Sequence, residues 1–398
     1  MTVVPPKSGA TAAVPPRARR AAAGPCVTVC RDPRAFAALA AEWQRLQRRC
    51  PSATPFQSHA WLSSWWLSYG ARGRLRIVLV RRGGELVAAA PLMRAYRPLP
   101  VLVPLGGAIT DFTDVLIDPT GGPAATEEVV AALAAGLRRA ARGAVIDLRE
   151  VRPGGAAERL YGRWRGPKRR LADSVCLELP GLPLDGLIAR TGSSRGQRIR
   201  NQLRKVDAAG ITEREVPAAE VPAAVANLLR LHLLQWEGRG VTPEHVRPRF
   251  AEHLTRAAGL MVTAGEAVIT EFSIGGEVVV ANLMVLSPVL AGGYLYGVHP
   301  DVRNSKVDVS TLLMRHGVRH AAGSGRDCLS LLRGAEPYKF HWRPEHVANQ
   351  RLLLANRTCG IRLLVRYGLA RGRAAAGRSA RLRGWRDRGQ GWWRERRG

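Results

Sequence analysis

The chain has 398 residues, is 46% hydrophobic and carries a formal charge of +30 at pH 7. That length is more than one typical domain needs and enough for two cores, the apolar content excludes a wholly disordered chain, and no apolar run reaches the ~20 uncharged residues of a spanning helix. Six cysteines without a C-x-x-C pair provide no clustered disulfide framework, and reduced thiols are expected.

In chain order, residues 1–25 are rich in Ala, Pro and Arg and are expected to be disordered. They lack the apolar core of a secretory signal, which points to a cytoplasmic protein. Asp32-Pro33 opens a predicted helix over Ala35–Arg49, with Phe36, Leu39, Trp43 and Leu46 on one stripe. A second helix is predicted over Phe56–Tyr69, where Trp61, Trp65 and Tyr69 serve as packing mass. Leu75–Val80, Arg82-Gly83-Gly84 and Leu86–Leu92 read as a hairpin, followed by a helix over Ala124–Arg139 and a strand over Ala144–Leu148.

The same layout then recurs. Ser193–Lys205 carries Arg195, Arg198, Arg200, Arg204 and Lys205; it reads either as a solvated basic face or as an attractor of an anionic substrate. A helix over Val221–Trp236 places His232 and Trp236 four apart on one face. Ala267–Ile274, the Gly275-Gly276 turn, Val278–Leu286 and Gly292–Val298 form a predicted antiparallel meander, with Tyr294 and Tyr296 on one face of the last strand. Ser310 is the expected N-cap of the next helix, whose start suits an anion, and Gly323-Ser324-Gly325 its stop. His316 and His320 share a face of that helix, but Arg315 and Arg319 beside them argue against a metal site. The run Leu332–Trp342 gathers Arg333, Glu336, Tyr338 and Lys339 around Pro337. Neutral imidazole or a carboxylate can take a proton from an acceptor amine or hydroxyl, while cations and a phenol can stabilise an anionic group.

Leu231-His232, Gln235-Trp236, the Gly275-Gly276 hairpin, Tyr294-Leu-Tyr-Gly297 with Pro300-Asp301, and Arg333-Gly-Ala-Glu-Pro-Tyr-Lys339 with Trp342 together resemble the CelD / BioF2-like acetyltransferase group of the GNAT superfamily, a relative of the Fem aminoacyl ligases. The resemblance is strongest over 193–342 and implies an α/β (mixed) fold of two tandem GNAT-like halves, each a mostly antiparallel mixed sheet flanked by helices. The expected division is 1–25, an N-terminal half over 26–180, an acyltransferase domain over 181–350 and a basic tail over 351–398. The implied activity is acyl transfer from acetyl-CoA or another acyl-CoA, with no metal, to an amine or hydroxyl of a saccharide or envelope-related acceptor. His232, Glu336 and Lys339 are the expected catalytic residues, and Trp236, Tyr296, Arg333 and Tyr338 the expected substrate-binding ones. The donor is expected at Val298, Asp301, Arg303, Ser305, Lys306 and Ser310.

Asn304–Ser310 contains no glycine where the related proteins carry a Pro-Gly, and Ser330 stands where they carry Asp; with the basic surface, the altered loop favours aminoacyl-tRNA as an alternative donor. A third reading is a catalytically degenerate scaffold at a membrane. The 351–398 segment holds 14 arginines against Asp387 and Glu395, with Trp385, Trp392 and Trp393 interleaved. That composition fits an anionic membrane surface, a nucleic-acid backbone or a solubilising tail.

Overall fold

The structure is a computed structural model that describes residues 24–238, 241–304, 307–334 and 336–375, without the side chains of 303 and 304. The N-terminal half contains β1 (Cys26–Cys30), α1 (Pro33–Ala37), α2 (Ala40–Arg49), α3 (His59–Tyr69), β2 (Leu75–Arg82), β3 (Glu85–Tyr96), β4 (Pro100–Pro104), β5 (Leu116–Ile117), α4 (Gly122–Ala140), β6 (Val145–Val151), α5 (Ala156–Arg163) and β7 (Lys168–Pro180). The C-terminal half contains α6 (Leu184–Ala189), α7 (Ser193–Ala208), β8 (Thr212–Glu215), α8 (Val221–Trp236), α9 (Pro248–Thr263), β9 (Ala267–Ile274), β10 (Glu277–Leu286), β11 (Leu290–Val298), α10 (Pro300–Asn304), α11 (Val309–Ala322), β12 (Cys328–Arg333) and β13 (Glu345–Ala355). A last helix, α12, covers 360–375.

Among the described residues thirteen strands join one mixed sheet in the order β1-β2-β3-β4-β6-β13-β7-β12-β11-β10-β9-β8, with β5 beside β3. The order reads the same from either end: an antiparallel meander, a helical crossover (α4 or α11), and a strand parallel to the meander's last member. These are the two GNAT-like halves. Each is finished by the other's last strand, because β7 pairs with β12 and β13 with β6, and β7 and β13 pair with one another. Both meanders turn on Gly-Gly pairs with φ of 58° and 90° at Gly83 and Gly84, and 59° and 86° at Gly275 and Gly276, the left-handed conformations that a two-residue hairpin needs.

Local signals explain most helix starts and several differences from expectation. The predicted helix over 35–49 is split: Asp32 caps α1 through the Arg34 amide, and the chain re-enters helix at Ala40, keeping Phe36, Leu39, Trp43 and Leu46 buried. The aromatic helix starts at His59, since the Ser58 hydroxyl accepts from the Trp61 amide at 3.2 Å and Pro55–Gln57 forms a separate turn. The expected basic tail does not begin at Arg351. Residues 345–355 are a central strand, and the Arg351 guanidinium makes two 2.7 Å hydrogen bonds to Asp147 on β6.

Asp147 is fully buried and is also held by Arg366 of α12 at 2.6 and 2.8 Å. Burial alone would raise its pKa, but the hydrogen bonds and charges of Arg351 and Arg366 outweigh it and hold the carboxyl below its ordinary value. Asp147→Asn would leave two buried guanidinium groups uncompensated. It is expected to cost about 3–5 kcal/mol, measured by denaturant unfolding, whereas a surface substitution such as Glu127→Gln should leave the midpoint unchanged.

Candidate active site

The site grows from a break in the sheet. β11 and β12 pair in parallel only over Leu290–Gly292 and Cys328–Ser330. Beyond this the strands part, β11 continuing to Val298 beside β10 and β12 turning to pair with β7 at Arg333. Two irregularities produce the parting. An extra residue at Tyr294 bulges β11 between the Leu283–Leu295 and Met284–Gly293 pairs, and Leu332 takes a left-handed φ of 56° within β12. The result is a V-shaped gap between two strand edges, with buried Ser330 at its apex.

The bulge also corrects the expectation for the tyrosines. Tyr294 and Tyr296 do not share a face: Tyr294 packs on Phe56 and Trp61 and donates from its hydroxyl to the Ile109 carbonyl at 2.9 Å, while Tyr296 joins Val298 and Leu312 on the α11 side. Burial first, then the neighbouring Tyr296, pushes the Tyr338 pKa up.

On the opposite face α8 crosses β11 in backbone contact. A Cβ on Gly297 would lie 2.4 Å from the His232 amide nitrogen and 2.7 Å from the Leu228 carbonyl. This approach brings the His232 ring to β11, where Nδ1 meets the Tyr296 carbonyl oxygen at 2.8 Å and Nε2 meets Nδ1 of His245 at 3.1 Å. A carbonyl can only accept, so His232 carries its proton on Nδ1 and accepts at Nε2; His245 must therefore donate from Nδ1, which leaves its Nε2 as the basic end of the pair. Burial lowers the pKa of both, and His245, also repelled by any charge on His232, falls to about 4. The His245 ring stacks on Phe250 with centroids 4.6 Å apart. His232 and Trp236 are 6.3 Å apart, and Trp236 forms, with Leu233, Glu237 and Val241, the wall of an open depression of about 480 Å³.

Sequence reading did not find His245, which lies 13 residues from His232 in a segment without periodicity. Its only signal was a second histidine nine residues beyond Trp236, where α8 ends.

The remaining expected residues divide. Lys339 does not face a ligand: its ammonium is buried, donates to the carbonyls of Leu331 at 2.8 Å and Arg333 at 3.1 Å, and pairs with Glu336 at 2.8 Å. It clamps the turn that follows β12. Arg333 points into the junction of the halves, bonded to Asp111 and to the Ala108 carbonyl and 3.5 Å from Glu150. Val298 is a core residue, and Asp301 is exposed beside His299. Ser305, Lys306 and the side chain of Arg303 lie outside the described residues.

Ser310 is not the N-cap of α11. Asp308 is, accepting from the Ser310 amide at 3.0 Å and the Ser310 hydroxyl at 2.7 Å, because a carboxylate both reaches the second helical N–H and complements the helix dipole. The basic helix α7 packs by Val206 against Val302 and Leu312, which brings exposed Arg204 and Lys205 to the side of the fold where α11 begins. His316 is buried in a structural chain from Thr270 (3.1 Å) through its ring to Glu213 (2.8 Å) and Arg319. Among the described residues no group of His, Cys, Asp and Glu could hold a metal, and no helix is long and apolar enough to cross a membrane.

Two halves with parted parallel strands, one parting flanked by buried His232 and half-buried His245, have the topology of the GNAT fold. Residues 193–340 match the family model of the acetyltransferase (GNAT) domain. The chain is similar in fold to FemX (TM-score 0.56, 12% identity, covering 80% of this chain and 96% of that one). It is similar also to a conserved protein from Bacteroides thetaiotaomicron (TM-score 0.53, 9% identity, 83% and 100% covered). A third relative in fold is the C-terminal domain of a protein designated lysylphosphatidylglycerol synthetase from Agrobacterium fabrum (TM-score 0.50, 11% identity, 83% and 96% covered). No curated protein matches the chain in sequence.

Two outcomes are expected. Gly297→Ala should cost about 3 kcal/mol by driving a methyl group into α8 backbone, read as a lowered Tm. Burial raises the Glu213 pKa, but His316 and Arg319 outweigh this and lower it from 4.5 to about 2. Its stabilisation is therefore complete above the unfolded value and lost as pH falls from about 4.5 to about 2. A Glu213→Gln variant should lack that part of the acid slope in denaturant unfolding.

Proposed function

We propose that the chain transfers an acyl group from acyl-CoA to an amine or hydroxyl of a saccharide or envelope-related acceptor. The parting of β11 from β12 carries this reading. Beyond Gly292 the side of β11 that faces the gap has no strand partner, while Lys339 and the Ser330 hydroxyl occupy the β12 backbone opposite, and the amide-bearing arm of an acyl-CoA can add to β11 as an extended segment adds to a sheet edge. In the reaction the acceptor nitrogen or oxygen attacks the thioester carbonyl carbon, the new C–N or C–O bond forms, and the C–S bond breaks to release the thiolate.

The acceptor proton passes to His245 Nε2, and the Nδ1 proton of His245 can move on to His232 Nε2. The imidazolium is then stabilised by the Tyr296 carbonyl, so the pair shares one proton and titrates as a unit. Glu336, neutralised by Lys339, and Arg333, paired across the halves, are positioning residues in this scheme. Trp236 and the depression beside it supply the acceptor side.

One observation favours a second donor. The Asp308 carboxylate already caps the start of α11, where a coenzyme A pyrophosphate would need free N–H groups, and Arg204 and Lys205 lie to that side. An aminoacyl ester on tRNA, the donor implied by the resemblance to the Fem ligases, needs no such cradle. The experiment is a donor comparison on the full chain with an amino-sugar acceptor: acetyl-CoA, with thiol release followed, against charged tRNA. Acceptor-dependent thiol release supports the first reading, transfer from charged tRNA alone replaces it with the second, and no transfer from either overturns both.

With the active donor, His245→Ala should lower kcat by about 10²–10⁴-fold. Because the pKa of both histidines is lowered, the acid limb of the pH–rate profile should lie below 6.5, toward the value of about 4 of His245. A limb at or above 6.5, or unchanged turnover in His245→Ala, would remove the pair from the mechanism.

A further inference from the structure

We propose that the outward face of α12 is a docking surface for an anionic lipid bilayer. The helix is fixed to the protein by one side only: Leu363, Arg366 and Ala370 are buried, with Arg366 locked on Asp147. Its other side exposes Ile361 (80%), Leu364 (53%), Val365 (44%) and Leu369 (40%). At about 100° per residue, Leu364, Gly368, Ile361, Val365 and Leu369 lie side by side over an arc of roughly 140° opposite the docked side. Exposed Arg362 and Arg373 border this arc on one flank and exposed Arg371 on the other. An apolar stripe edged by arginines is the arrangement that lies in a bilayer interface, with the apolar side chains below the headgroups and the guanidinium groups at the phosphates.

Charge selects the occupant. From Arg357 onward the chain carries 13 arginines against two acidic residues. A second copy of the same face would bring like charges together, and the segment 376–398, itself arginine-rich, would be repelled by the arginines bordering the stripe. A nucleic-acid backbone would satisfy the arginines but offers nothing to the four apolar side chains. A membrane containing acidic lipid satisfies both, and Trp385, Trp392 and Trp393 further along the chain are of the residue type that settles at headgroup level.

The proposal is independent of the acyl-transfer reading, since its test involves no acyl donor. The full chain is sedimented with vesicles of phosphatidylcholine alone and of phosphatidylcholine mixed with phosphatidylglycerol, at low and high salt. Binding is expected only to the mixed vesicles, reduced but not abolished by salt. The double variant Leu364→Asp and Val365→Asp, which alters only the exposed side, should bind roughly tenfold more weakly or worse, with an unchanged unfolding transition to show that the fold is retained. A chain ending at 375 should keep salt-sensitive binding through the helix.

Failure of the full chain to bind mixed vesicles, wild-type binding by the double variant, or loss of all binding on removing 376–398 would overturn the proposal. So would light scattering that shows a dimer dissociated by the double variant, which would assign the arc to a second copy.

Discussion

The pairing of β7 with β13 is the constraint on which the rest of the structure depends. The two strands run antiparallel from Lys168 opposite Leu354 to Glu178 opposite Glu345, and each belongs by sequence to one half and by sheet position to the other. Neither half can close its own sheet. The exchange also fixes the position of the loop after β4, since Arg333 and Tyr294 of the C-terminal half bind Asp111, Ala108 and Ile109 of the N-terminal half. One half thus builds the gap and the other supplies part of its wall.

The halves share topology but differ where their parallel strands part. In the N-terminal half β4 and β6 also pair in parallel over only two residue pairs, Val101–Val145 and Leu102–Ile146. There the chain fills its own opening: Thr113 donates from its amide to the Glu150 carbonyl at the free edge of β6, and Phe112 and Val115 are buried beside it. A left-handed residue with φ of 56° stands in the last strand of each parting, Glu150 in β6 and Leu332 in β12, and in the C-terminal half the bulge at Tyr294 adds to the separation. A left-handed leucine costs roughly 1–2 kcal/mol, a strain that the surrounding pairs of Arg333 and Lys339 must offset.

What was legible in the sequence was what local chemistry dictates. The Gly-Gly turns announced both meanders, and the apolar run from Val221 to Trp236 announced α8 to the residue. What was hidden depends on partners far away in the chain. Arg351 looked like part of a basic tail because its counter-charge, Asp147, lies 204 positions earlier. Pro248–Thr263 mixes Arg and His with its apolar residues and was not read as the helix it forms. Ser310 looked like a cap because Ser is a good one, but Asp308 two residues earlier is better placed and charged. Lys339 looked catalytic because it stands in a polar run, yet that run folds back on itself and consumes the ammonium on three carbonyls. The histidine pair was half visible: His232 through its helix and the resemblance, His245 only once the chain is folded.

The proposed position of the acyl donor is along β11 beyond Gly292, where that strand lacks a partner on the side of the gap. The most direct measurement is amide hydrogen exchange of the full chain with and without saturating acetyl-CoA. New protection is expected at residues 293–298 of β11 and in the segment after Ser330, and nowhere else. Protection at the parting of β4 and β6, or none in either half at a donor concentration that supports turnover, would contradict it.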